Sequence, residues 1–391
     1  MNPDKSRRRI LVIPNDPLYR YAAKGEVKER YFNPENFFDE VHVLSLADED
    51  NSLETARIMA GNSPVRIHAI GRPNPFNLGA VRKKALQLAL KIKPQVVRSY
   101  NPLYMGYLAV CAAKAAGAAS VVSVHDDYSL WRSLAVYGPG FLFTPRGMYQ
   151  IFHYLLALNR ISLGRCDQVI CAYRFPLRYV ERWRKENISV IYNRVDLEKF
   201  SPGDSQRQAA PGSLRILNVG RQFAGKNPQP ILKALAGIEN TTLTLVGDGP
   251  CHKSLVRTAD KLGIADRVKF INRVAHKDLP DLYRCHDIFA MAITQPGVCI
   301  PVLEAAASGL PIVINSPRWE ESPEVVGDLA EVVPLSVQGY RQAFLRLAGD
   351  PDYRKERGAR LRQRALAIDG RVMERAEREL YERLLAGQAT E

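Results

Sequence analysis

The sequence predicts an α/β protein made of two Rossmann-like, doubly wound parallel-sheet domains in tandem. Three observations carry that expectation. Short β-branched runs alternate along the chain with longer stretches whose apolar residues recur at helical spacing. The strand runs are apolar without alternation, as in strands covered on both faces of a parallel sheet. Finally, 391 residues exceed what one ordinary core organises, so two domains of about 200 residues are the natural division.

In order, the first half predicts strands at 10–14, 41–46, 65–70, 95–99, 120–124, 168–172 and 189–192. Helical spacing marks 78–93, 103–116, 149–163 and 176–185 between them. The second half repeats the rhythm with strands at 214–219, 242–246, 268–271, 288–290 and 311–314. The stretch 193–212 reads as the junction, because it is polar and marked by Pro202, Gly203, Pro211 and Gly212. The expected domains are 1–200 and 201–370. Residues 371–391 form a C-terminal helix suited to packing at the domain junction. Its opposite charges meet four positions apart, as in Glu374–Arg378 and Arg375–Glu379.

Composition narrows the class. Apolar residues at 46% and charged residues at 25% describe a globular enzyme rather than a disordered chain. No stretch reaches the roughly 20 apolar residues of a membrane span; the nearest, 107–124, is interrupted by Lys114. Arg7-Arg8-Arg9 precede five apolar residues, too few for the about 7–15 of a secretory leader, so a cytoplasmic protein is expected. The six cysteines are scattered and read as reduced thiols, which argues against a zinc site. The net charge of +14 is uneven: residues 1–200 hold 29 lysines and arginines against 18 acids. An anionic partner of the N-terminal half is one reading (membrane phospholipid, phosphorylated acceptor or nucleic acid), and an idle basic surface is the other.

In open α/β sheets, ligands bind beyond the carboxyl ends of the strands, and the second half places its chemistry there. Strand 214–219 ends in Gly220-Arg221, with Lys226 after a short loop. Strand 242–246 ends in Gly247-Asp248-Gly249-Pro250. Strand 288–290 leads to Gln295-Pro296-Gly297-Val298-Cys299-Ile300 and a helix from Pro301 to Ser308 that carries Glu304. Arg221 offers a planar fork of donors and Lys226 a point charge, a pair suited to a diphosphate. Gly297 permits close backbone approach, and the free N–H groups of the helix start can face phosphate or sugar oxygens. Glu304, expected in the first helical turn, has two oxygens that match the hydroxyls of a ribose. Taken singly, each residue also reads as an ordinary surface cation, turn or helix acid.

As an ordered set these residues resemble the retaining, two-Rossmann-domain glycosyltransferases of family 4, the glycosyl transferases group 1. The resemblance runs through Tyr192-Asn193-Arg194-Val195-Asp196 to Pro202, Val219-Gly220-Arg221 with Lys226, and Leu245-Val246-Gly247-Asp248-Gly249-Pro250. It continues through Leu303-Glu304-Ala305-Ala306-Ala307-Ser308-Gly309-Leu310-Pro311. It covers about residues 165–370, and Glu324 falls where the family carries a further acid. The resemblance implies the GT-B fold, with a deep cleft between an N-terminal acceptor-binding and a C-terminal nucleotide-sugar-binding domain. Arg221 and Lys226 would bind the donor diphosphate, Glu304 the ribose and Val274 the base. Backbone groups of Gly220 and from Gly297 through Val298 and Cys299 to Ile300 would hold phosphates and sugar. His125, at the end of strand 120–124, matches a histidine near the transferred sugar, though beside Asp126 and Asp127 it also reads as a hydrogen-bonded structural residue. No cofactor or metal is implied. The co-substrate would be a nucleotide-diphosphate sugar, and the acceptor a glycan or lipid-linked sugar.

Three departures stand out. The family's first glutamate, eight positions before Glu304, is here Pro296; a lost bond to the donor sugar costs about 1.5–3 kcal/mol unless Gln295 substitutes. Asn15-Asp16-Pro17 replaces the usual Gly-Gly loop after the first strand, and Arg194 stands where glycine is common. The Pro296 departure leaves open a non-catalytic sugar-nucleotide-binding protein or partner subunit. An epimerase lacks an evident acid/base pair, and no nucleic-acid-binding signature accompanies the charge. Asp48-Glu49-Asp50 reads as a solvated turn rather than a metal site. On the acceptor side, Lys83, Lys84 and Lys91 lie opposite the apolar face of helix 78–93. Aromatics alternate with Arg132, Arg146 and Arg160 between 131 and 160. An anionic membrane surface at which the protein docks peripherally is one expectation for this region; a core helix with a basic rim is the other.

Overall fold

A computed structural model describes residues 7–203, 212–294, 300–316 and 324–388. The chain divides into two compact units, Met1–Tyr192 with Met373–Glu391, and Asn193–Val372.

The sheet of the first unit comprises β1 (Arg9–Ile13), β2 (Glu40–Ser45), β3 (Val65–Ala69), β4 (Val96–Ser99), β5 (Ala119–Val124), β6 (Gln168–Cys171) and β7 (Ile188–Val190). All pair in parallel in the order β3-β2-β1-β4-β5-β6-β7, with Ile10 opposite Val41 on one side and Val96 on the other. All seven anticipated strands form. The helices are α1 (Leu18–Lys24), α2 (Leu53–Ala60), α3 (Leu78–Ile92), α4 (Tyr104–Ala116), α5 (Leu130–Tyr137), α6 (Pro145–Leu155), α7 (Leu158–Ser162) and α8 (Leu177–Val180). Helix α3 buries Val81, Ala85, Ala89 and Ile92, one every three or four residues, and leaves its lysines outside.

The structure departs from two local expectations. The helix expected over 149–163 is two helices, because Ala157 takes a left-handed φ of 48° between α6 and α7. Thr144 starts α6, its Oγ1 accepting from the Gly147 N–H at 3.0 Å. The turn at 48–50 is not merely solvated: buried Asp50 accepts from the Leu18 N–H at 2.8 Å and the Ser45 hydroxyl at 2.6 Å. It thereby ties the loop after β1 to the end of β2.

In the second unit, β8 (Leu214–Val219), β9 (Thr241–Val246), β10 (Val268–Ile271), β11 (Ile288–Met291), β12 (Ile312–Asn315) and β13 (Glu331–Val333) form a parallel sheet. Its order is β10-β9-β8-β11-β12-β13. Strand β13 was not anticipated, since three residues before Pro334 are too short for a periodic signal. Around this sheet lie α9 (Gln229–Leu235), α10 (His252–Lys261), α11 (Leu279–Arg284), α12 (Ile300–Ala307), α13 (Val337–Gly349) and α14 (Pro351–Leu366). The supposed linker after residue 192 is packed as far as it is described. Val195, Leu197 and Phe200 are buried, and Arg362 donates to the carbonyls of Leu197, Phe200 and Ala307 at 3.1, 2.8 and 2.6 Å.

The last helix, α15 (Gly370–Gln388), rejoins the first unit from Met373 onward. Met373, Leu380 and Tyr381 share a core with Ile10, Val12, Phe37 and Phe38. Buried Arg98 on β4 pairs with buried Glu377 and the Tyr381 hydroxyl, bonds Ser123 Oγ at 3.2 Å, and lies 4.3 Å from the Tyr100 ring centroid.

Candidate functional site

Strand order reverses between β8 and β11, so their following connections leave on opposite faces and a crevice opens at their carboxyl ends. Three strand-end loops are laced together there. Gln222, only 1% exposed, donates from its backbone N–H to Asp248 O at 2.9 Å and from Nε2 to Gly247 O at 2.9 Å. His252 Nδ1 lies 2.9 Å from Gln222 Oε1. This binds the loop after β8 to the loop after β9. A Cβ at Gly247 would stand 2.1 Å from Gly220 O, and φ there is +127°, so only glycine lets the two loops close. Across the reversal, the Thr294 N–H donates to Gly225 O at 3.1 Å, joining the loop after β11 to that after β8. Beneath them Asn315 clamps Ile293 through both backbone groups at 2.8 and 2.6 Å, and the Tyr340 hydroxyl lies 2.7 Å from Met291 O and 3.0 Å from Asn315 Oδ1.

Arg221 and Lys226 project from this braced loop. Arg221 is exposed and Lys226 half-buried, its stem passing beside Gly220 and its loop closed by the Lys226 N–H to Phe223 O bond of 2.8 Å. Neither forms an ion pair among the described residues, whereas Arg215, at the opposite end of β8, is tied to Asp287 at 2.8 Å. Two uncompensated cations on one rigid loop suit a dianionic ligand. Val274 lies half-buried in the loop after β10.

Glu304 differs from expectation. The helix as described begins at Ile300, so Glu304 is its fifth residue and beyond the first turn, where the macrodipole acts. Its carboxylate is 3% exposed. Oε2 accepts from the Tyr283 hydroxyl at 2.9 Å, and Oε1 lies 3.4 Å from Nε2 of exposed His276. Burial, with the carboxylate beside it, pushes the Tyr283 hydroxyl well above its usual range, so it stays a donor. Phe200 packs edge-on against both His276 and Tyr283. Gln295, Gly297, Val298 and Cys299, with Pro296, lie outside the described residues; Ile300 is partly buried. Gln222, Thr294, Tyr283 and His276 escaped the sequence reading because they act through partners distant in the chain. Gln222's place directly after Gly220-Arg221 was the one available signal.

His125 belongs to the first unit. It is half-buried just beyond β5, its ring 6.5 Å from that of Tyr100. Burial, then the charges of Arg98 and Lys28, lower it to about 4, so the imidazole is neutral near pH 7. Asp127 is engaged by the Ser129 N–H at 2.8 Å and Asp126 by Arg132 at 3.1 Å. The same unit exposes Trp131, Phe143, Met148, Tyr154 and Leu155 on α5, α6 and the turn between them. Beside them an apolar groove of about 660 Å³ runs between Pro73, Pro75, Leu78 and the α6 residues Met148, Ile151, Phe152 and Leu155. Among the described residues, no helix is long and apolar enough to cross a membrane, and no cluster of three or more metal-ligand side chains occurs.

Residues 39–199 match Glycosyltransferase Family 4 and residues 204–364 match Glycosyl transferases group 1. The chain belongs to the group 1, family 4 glycosyltransferases. It is 24% identical over 362 residues to the putative glycosyltransferase EpsF of Bacillus subtilis (strain 168), covering 89% of this chain and 90% of that one. It is 34% identical over 139 residues to D-inositol 3-phosphate glycosyltransferase of Mycobacterium tuberculosis (strain F11), 32% of this chain and 28% of that one. Among solved structures, Anabaena Alr3699/HepE in complex with UDP superposes with a TM-score of 0.72 at 17% identity, over 96% of this chain and 99% of that one. A glycosyltransferase from Rickettsia africae ESF-5 gives 0.71 at 16%, over 97% and 99%. These likenesses establish the GT-B fold.

Proposed function

We propose that the protein transfers a sugar, with retention of anomeric configuration, from a nucleoside-diphosphate donor to a glycan or lipid-linked acceptor. The observation that carries this reading is the pair of cations, Arg221 and Lys226, without an ion pair among the described residues, on a loop braced by Gln222, Gly247 and Thr294 at the sheet's reversal point. Sugar transfer develops negative charge on the leaving diphosphate, and fixed cations there lower the barrier without reorganising. The departing phosphate takes the acceptor's proton, and neutral His125 offers a hydrogen bond to the sugar rather than a charge. Glu304 Oε1, on the side of exposed His276, is the acceptor for a ribose hydroxyl, and the loop at Val274 meets the base. No metal or other cofactor takes part. HepE has been crystallised with UDP-glucose, which makes UDP-glucose the first donor to test. Arg221→Ala and Lys226→Ala are each expected to lower turnover at least tenfold and to abolish the thermal shift given by UDP, with the unliganded melting curve unchanged. Near-normal turnover in either variant overturns the assignment.

The exposed apolar side chains of α5 and α6, the adjoining groove and the basic outer face of α3 favour peripheral docking at an anionic cytoplasmic membrane surface. Sedimentation with anionic and with zwitterionic liposomes tests this, and equal partitioning refutes it.

A further inference from the structure

The first unit holds another cavity, of about 290 Å³, walled by the segment after β5, α6, α7 and the chain around α8. Its size is at the low end for small-molecule sites, roughly 300 Å³ and upward. What distinguishes it is its polar lining. Gln150 Oε1, His153 Nε2, Asn159 Oδ1, Tyr179 Oη and Trp183 Nε1 are all buried and have no hydrogen-bond partner among the described residues. Gln150, His153, Asn159 and Tyr179 are each more than nine-tenths buried. Buried polar groups are ordinarily paired, and leaving one unpaired costs more than a made hydrogen bond returns. Five such groups converging on one cavity describe a site built for something that hydrogen-bonds.

The chemistry of the lining selects the ligand. Every one of the five groups is uncharged: burial lowers His153 to about 4, so its ring is neutral and the nitrogen facing the cavity is free to accept. Tyr179 and Trp183 donate, while the two amide oxygens and the His153 nitrogen accept. An anion accepts only and would call for cations, of which the lining has one, the exposed Arg182. Hydroxyl groups both donate and accept, and match the mixture. Tyr128 and Trp131 add aromatic faces against which the C–H face of a sugar ring can stack. His153 lines both this cavity and the apolar groove, so a ligand with a polar ring and an apolar tail could span the two.

We propose that this cavity binds an uncharged, hydroxyl-rich ring, a neutral sugar, as the recognition subsite for the acceptor. The inference rests on the transferase reading above for the word acceptor, and on the cavity alone for the sugar. Saturation-transfer NMR on the full chain tests it, with glucose, galactose, mannose and N-acetylglucosamine as probes, inorganic phosphate and glucose 6-phosphate as charged controls, and UDP as a separate arm. At least one neutral sugar is expected to bind. Tyr179→Phe and Asn159→Leu should each weaken it about threefold to tenfold, the effect of one neutral hydrogen bond. UDP binding should be unchanged and the melting midpoint equal or higher, because each variant removes an unpaired polar group. Binding of no neutral sugar, binding of the charged controls alone, or sugar affinity unaltered in Tyr179→Phe overturns the proposal. Failure of the UDP arm alone strikes the donor reading and leaves this one standing.

Discussion

Replacing Glu377 by alanine removes the carboxylate that faces Arg98 inside the first unit. Arg98 and Glu377 are both buried, so the guanidinium cannot turn to water. It keeps the Ser123 and Tyr381 oxygens, neither of which carries a compensating charge. Breaking one side of such a pair costs about 3–5 kcal/mol, most of it the penalty of the stranded charge. For a unit of roughly 200 residues, each kcal/mol moves the midpoint by about 2–4 °C, so the first unit's transition should fall by about 6–20 °C. Tryptophan fluorescence can follow it, since Trp131 and Trp183 lie in this unit. The double variant Arg98→Met/Glu377→Leu should recover most of the loss, because removing both charges leaves none stranded. A single variant melting within about 2 °C of the parent, or a double variant no better than the single, refutes the reasoning.

Three further outcomes follow from the same geometry. Gly247→Ala puts a methyl carbon 2.1 Å from Gly220 O at a φ of +127°, so UDP-induced stabilisation should disappear and the second unit should melt earlier; an unchanged UDP shift contradicts the close approach. Tyr283→Phe leaves Glu304 Oε2 without its donor and should cost about 1–3 kcal/mol in urea unfolding, with unaltered stability counting against the pair. His153 is held near 4, below its unfolded value, so the unfolded chain takes up the proton first. Its contribution is complete above about pH 6.5 and is lost on acidification toward pH 4, about 2 kcal/mol of it by pH 5. His153→Gln should therefore show a smaller stability loss between pH 7 and pH 5, and an equal loss would show that His153 is not buried as neutral.

The sheets were legible because their strands are apolar runs bounded by turn residues, and that local signal survives without tertiary information. Arg221 and Lys226 could be placed at the end of a strand for a related reason: both follow one strand end, and neither depends on a partner to be placed. Glu304 could be placed on its helix, but its neighbours could not, because Tyr283 and His276 reach it from another element. Asp50 was misread as solvated because its partner Leu18 comes from a different strand–helix connection. The break at Ala157 carried no sequence cue, since glycine and asparagine, not alanine, are the residues that routinely take a left-handed conformation. The polar cavity escaped for the same physical reason as Glu304's partners: its lining comes from segments separated in sequence.

The return of α15 to the first unit has a consequence for how the chain is made. Its carboxylate for Arg98 is translated only after the intervening Asn193–Val372, an interval of roughly ten to forty seconds at ordinary ribosomal speed. Throughout that time the nascent first unit holds a guanidinium bound for its interior and an uncovered patch around Phe37 and Phe38. The second unit, contiguous in sequence, can fold before the first is finished. The first unit is thus closed by the segment made last, with the exposed patch a natural point of capture by chaperones at the ribosome.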